Sequence, residues 1–154
     1  MKTHALSHRT LARLIGLPAA ALLLALGGCA KSPDGGGAAA TPAPFTGTVH
    51  EVKMRGTAKG YFYEPAQLMI KKGDKVHFVM VDGGPHNVNF GGQNIPAAAK
   101  VLLEKDGKLL GVMLQAPGQS YDIEFNSRYP IGDYNYVCDP HAALGMKGKI
   151  VVTP

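Results

Sequence analysis

The sequence predicts an all-β sandwich of seven or eight strands, mostly antiparallel, with one short helical excursion. Three observations predict it. Short runs rich in β-branched and aromatic residues recur between glycine, proline and aspartate turn signals from Phe45 to Pro154. Those 110 residues are a usual size for one sandwich. Glycine at 20 and proline at 11 in a chain of 154 are too many for a coiled coil or an ordinary helical bundle.

Thr48 to Met54 opens the series of strands. Gln67 to Lys71 and Lys75 to Val81 flank Lys72-Gly73-Asp74, which reads as a hairpin turn. His86 to Phe90 is a further short run. Pro96 to Lys105 differs: a proline at its start, three alanines, two leucines and no glycine predict a helix, within an excursion from Asn94 to Lys108. Leu109 to Leu114 is a candidate strand after the Asp106-Gly107 turn. Gln119 to Phe125 alternates, placing Tyr121, Ile123 and Phe125 on one face and Asp122 and Glu124 on the other. Tyr134 to Cys138 and Lys149 to Thr153 complete the set.

Ahead of this domain the chain reads as an export segment. Lys2, Arg9 and Arg13 precede an uncharged stretch from Leu14 to Leu26, which Gly27, Gly28 and Cys29 follow. A basic start, a short apolar stretch and small residues at its end mark a secretory signal, expected over residues 1–28. Thirteen residues with Pro18 among them are short for a bilayer span. Leu26-Gly27-Gly28-Cys29 resembles a bacterial lipoprotein signal. That resemblance implies cleavage before Cys29 and lipidation of its thiol, hence an exported protein anchored in the periplasm or on the outer face of a membrane. Residues 30–44 hold five alanines, three glycines and three prolines and no large apolar side chain. They cannot offset their ordering entropy by burial and read, with Cys29, as a flexible linker. Such a tether spans roughly 20 Å as a coil and about 50 Å fully extended. The formal charge is +5, but after residue 28 only 13 basic side chains face 11 acidic ones. No basic patch argues for nucleic acid.

The chemistry is concentrated near Cys138. If Cys29 is lipidated, Cys138 is a lone thiol in an exported protein, a liability unless it has a partner. A disulfide to Cys29 is one partner; a metal is the other. Cys138-Asp139-Pro140-His141-Ala142-Ala143-Leu144-Gly145-Met146 gathers thiolate, imidazole and thioether within nine residues. Thiolate and thioether are soft ligands that select copper. Structural zinc seldom takes methionine. His86, in a turn leading into a strand, is the best candidate for a second imidazole. Two imidazoles, a thiolate and a distant thioether make the trigonal blue-copper site. His50 and His77 are the other histidines after the export segment, and His77 reads as a strand residue. Met54, Met69, Met80 and Met113 read as core filler.

Gly132-Asp133-Tyr134 through Cys138-Asp139-Pro140-His141 to Gly145-Met146-Lys147-Gly148 resembles the copper loop of the cupredoxins of plastocyanin and pseudoazurin type. Pro85-His86-Asn87-Val88 is similar to that family's first histidine segment. The resemblance implies His86, Cys138, His141 and Met146 as ligands of one copper ion, and Asn87 as a brace of the ligand loop. It also implies an eight-stranded Greek-key sandwich and one-electron transfer without catalysis, with redox proteins such as cytochromes or membrane oxidoreductases as partners. In the family geometry His86 lies deeper and His141 reaches the surface among Pro85, Pro140, Ala142, Ala143 and Leu144, an uncharged docking face. Two departures stand out. Val137 occupies the place where plant-type plastocyanins carry a tyrosine implicated in a remote electron path, and no acidic cluster follows Val88. Two rival readings use the same residues: a protein that stores or delivers copper, and a copper-free sandwich used for adhesion or assembly.

Overall fold

A computed structural model describes residues 44–154. The expected export signal, Cys29 and most of the expected linker lie outside the described residues. Among the described residues seven strands form: β1 (Val49–Thr57), β2 (Gly60–Glu64), β3 (Gln67–Lys71), β4 (Lys75–Met80), β5 (Ser120–Glu124), β6 (Gly132–Val137) and β7 (Lys147–Thr153). One sheet has the order β2-β1-β4-β5 and the other β3-β7-β6. Three pairings are antiparallel, and two, β1 with β4 and β3 with β7, are parallel crossovers. The helix α1 (Ala97–Lys105) follows Pro96 and buries Ala99 and Leu103, one turn apart on a single face. The architecture is therefore the expected two-sheet sandwich with one short helix. In place of an eighth strand, residues 86–90 make isolated bridges, His86 with Leu114 and Asn89 with Val137.

Alternation decides what each strand buries. Val52 and Met54 of β1, Val76, Phe78 and Met80 of β4, Tyr121 and Ile123 of β5, Tyr134 and Tyr136 of β6, and Ile150 and Val152 of β7 all point inward. Tyr63 and Phe78 meet the Tyr136 ring edge-on, with centroids 4.7 and 5.5 Å apart. Such geometry suits the ring quadrupole. The same period of two carries Cys138 inward just past the end of β6, which is how a strand delivers a thiol to the interior.

Three expectations are corrected. Lys72-Gly73-Asp74 does not close a hairpin. β3 bonds to β7 and β4 bonds to β1 and β5, so this turn carries the chain from one sheet to the other. Asp74 makes that corner rigid. Its carboxylate accepts the amides of Thr48 (2.9 Å) and Lys71 (3.0 Å) and lies 2.8 Å from His50 Nε2. Burial alone would raise its pKa, but these partners hold it below the usual aspartate value. Second, Leu109 to Leu114 is no strand: Gly111 takes a φ of +63°, and only Leu114 pairs. Third, Met69 and Met113 are not core filler but 65% and 40% exposed, whereas Met54 and Met80 are buried.

Candidate metal centre

Two backbone segments carry the donors, and hydrogen bonds lock each of them. Beyond β6, Cys138 leads into a 3-10 helix, Asp139–Leu144, with Pro140 in its first turn. Gly145 ends it at a φ of +87°, a conformation glycine adopts without strain, and reverses the chain into Met146 and β7. The His141 amide donates to the Cys138 carbonyl (3.0 Å), the Met146 amide to the His141 carbonyl (3.1 Å), and the Cys138 amide to the Met146 carbonyl (3.1 Å). The three residues are thus mutually fixed by backbone alone. His86 is held by reciprocal bonds with Leu114, at 3.0 and 2.8 Å. Asn89 and Val137 exchange a second pair, at 2.9 and 3.0 Å, joining the His86 segment to the end of β6.

These segments bring His86, Cys138 and His141 together, with one donor atom from each within 4.8 Å of the others. Cys138 Sγ lies 3.5 Å from His86 Nδ1 and 3.4 Å from His141 Nδ1. Such gaps suit a single ion bound to nitrogen at about 2.0 Å and to sulfur at about 2.3 Å. His86 Nε2 lies 2.9 Å from the Asp82 carbonyl oxygen, which can only accept. The Nε2 therefore carries the proton and Nδ1 keeps its lone pair for a metal. Met146 is fully buried at the end of the same loop. Burial pushes the Cys138 thiol up, against the backbone amides that favour its thiolate. Burial, with the nearby His86, lowers His141 and favours the neutral imidazole that a metal requires. The donor set fits copper: one soft thiolate, two imidazoles and a buried thioether, with no carboxylate in the cluster.

A sequence model described as copper binding proteins, plastocyanin/azurin family, matches residues 50–153. The chain belongs to this family. Plastocyanin of Scenedesmus fuscus is 37% identical over 103 residues, covering 66% of this chain and 96% of that protein. The chloroplastic plastocyanin of Tetradesmus obliquus is also 37% identical over 103 residues, and there the match spans 65% of the relative's length. The solved structure of oxidized plastocyanin from the fern Dryopteris crassirhizoma superposes with a TM-score of 0.52 at 25% identity, over 68% of this chain and all of that one. This member of the plastocyanin/azurin family is a blue copper protein of the electron-carrier type, and its cofactor is copper.

The structure also places each residue of the expected surroundings. Asn87 is buried and braces the loop: its Oδ1 accepts the Asp139 amide (2.8 Å) and its Nδ2 donates to Asp139 Oδ2 (2.7 Å) and to the Leu110 carbonyl (3.1 Å). Pro85, Pro140, Ala142, Ala143 and Leu144 are all exposed. His86 is 0% and His141 8% exposed.

Sequence reasoning missed three contributors. Asn89 Nδ2 donates to Asp139 Oδ1 (2.7 Å), so two asparagines clamp one carboxylate beside Cys138. The alternation Asn87-Val88-Asn89 was a readable signal for this pair. The Asp82 carbonyl orients His86, and its side chain is anchored by Gly56 and Arg55, at 2.9 and 3.2 Å. Tyr61 of β2 stacks on His141. The aromatic run Tyr61-Phe62-Tyr63 after Gly60 was the available signal for that strand.

Proposed function

We propose that this blue copper protein carries single electrons between redox proteins outside the cytoplasmic membrane, held to a membrane by a lipid on Cys29. The ligands are His86, Cys138, His141 and Met146. The observation that carries the reading is the asymmetry of the two histidines. His86 is sealed in the interior, while the His141 segment comes to the surface among five exposed, uncharged residues. A rigid site with one ligand near solvent changes little on oxidation and reduction and offers an electron a short way out. Two imidazoles, a thiolate and a thioether leave no open position for a substrate, which supports a carrier over an enzyme.

Partner docking follows from the same face. Leu144 is 63% exposed on the 3-10 helix that carries His141. A small apolar face permits brief contact and fast release. With near-neutral charge after the export segment, steering by long-range fields matters less than this contact. Burying a leucine contributes roughly 1.5 kcal/mol or more, so Leu144→Lys is expected to slow electron transfer to a cytochrome partner about tenfold in stopped-flow mixing. The visible spectrum stays unchanged. An unaltered rate would move the docking face elsewhere on the molecule.

The anchor has its own test. Wild-type protein is expected in the membrane fraction of the producing cells. Cys29→Ser is expected in the soluble exported fraction or uncut. Recovery of the wild type as soluble protein, with mass spectrometry finding Cys29 unmodified, would rule out the lipid tether and leave the copper centre untouched.

A further inference from the structure

The two histidine rings are oriented by different means. The His86 ring is fixed by the Asp82 carbonyl at its Nε2. Among the described hydrogen bonds, the His141 ring has a contact only at Nδ1, with Cys138, and none at Nε2. An aromatic ring lies against the face of the His141 imidazole. Tyr61 lies nearly parallel to His141, with centroids 3.8 Å apart and 8° between the planes. It meets the His86 ring edge-on, with centroids 6.3 Å apart.

The chain makes room for this ring. A Cβ on Gly56 would come within 2.7 Å of Tyr61 Cε1, so any larger residue there would push the ring off its seat. Tyr63, on the same strand two residues later, donates its hydroxyl to the Asn87 carbonyl at 2.6 Å. One short strand therefore lays a ring on His141 and pins the segment that carries His86.

We propose that Tyr61 is a positioning residue of the metal centre: its ring, rather than its hydroxyl, fixes the plane of His141 and slows the loss of that imidazole from copper. The inference rests on the assignment of His141 as a ligand. It predicts that the ring alone suffices, so Tyr61→Phe should behave as the wild type and Tyr61→Leu should not.

The test has two arms. In metal-free protein, the His141 ring protons are expected upfield of their free-histidine positions in the NMR spectrum of the wild type and of Tyr61→Phe, through the ring current of the stacked residue. They return toward ordinary positions in Tyr61→Leu. In copper-loaded, reduced protein, bathocuproine disulfonate is expected to strip Cu(I) from Tyr61→Leu roughly threefold to tenfold faster than from the wild type, and from Tyr61→Phe within about twofold. The Phe rescue separates this role from bulk packing or a hydroxyl bond. No upfield shift in the wild type, an unchanged stripping rate in folded Tyr61→Leu, or a Phe variant as impaired as Leu would each overturn the proposal. Should Tyr61→Leu fail to fold, the wild-type and Phe measurements still decide it. A wild type that takes up no copper would defeat the ligand assignment, and the metal-free spectra would still decide whether the stack holds the imidazole.

Discussion

Cys138→Ser is expected to abolish the intense visible band of the Cu(II)-loaded protein while leaving the β-sandwich folded. The band is charge transfer from a thiolate, and Cys138 supplies the thiol of the cluster. A serine hydroxyl is nearly the same size but does not ionise at neutral pH, so it cannot replace a soft anionic donor. The exchange fits the fully buried position with little steric change, and the three backbone bonds tying residues 138, 141 and 146 do not involve the side chain. Absorption spectra with circular dichroism on the same samples separate loss of the site from loss of the fold. A blue Cys138→Ser protein would remove Cys138 from the ligand set. A wild type that holds copper only as colourless Cu(I) would favour storage or delivery over electron transfer.

Gly83→Ala is expected to damage both stability and the site. Gly83 sits at a φ of +70°, which strains any residue with a Cβ. An added Cβ would also overlap the Gly56 Cα on the neighbouring strand, where backbone cannot give way. The two effects together should cost about 2–4 kcal/mol in urea denaturation. The turn carries Asp82, whose carbonyl orients His86, so the damage should also reach the metal as weakened copper affinity. A variant with wild-type stability and affinity would show that the β1 end and the 82–85 turn are not packed as tightly as these contacts require.

Much of this molecule was legible in its residues because the signals were local. Period-two alternation located Gln119 to Phe125 and its buried face. The spacing of Cys138, His141 and Met146 needs only a tight turn, and a 3-10 helix closed by Gly145 provides it. Non-local features were harder to read. Lys72-Gly73-Asp74 says that the chain reverses but not which sheet each flanking strand joins, since that depends on β7, far along the chain. β2 escaped because Tyr61-Phe62-Tyr63 puts rings on both faces and erases the alternation. With β2 went Tyr61. Leu109 to Leu114 looked like a strand on composition, but Gly111 packs against the Val88 backbone with its φ in the left-handed region. Met69 and Met113 show the same limit: a long apolar side chain does not reveal which way it points until its neighbours are placed.

The position of β7 has a consequence for the order in which the protein can be built. It is the middle strand of its sheet, yet it follows both of its neighbours, β3 and β6, in the chain. While synthesis has delivered only the earlier residues, β1, β2, β4 and β5 can already pair among themselves, but β3 and β6 have nothing between them to bond to. The loop from Cys138 to Met146 is then a free hairpin end without a sheet beneath it. Closing a parallel pair across so long a stretch is slow. The copper loop is therefore held rigid only once β7 has inserted, so the four candidate ligands come together late in folding.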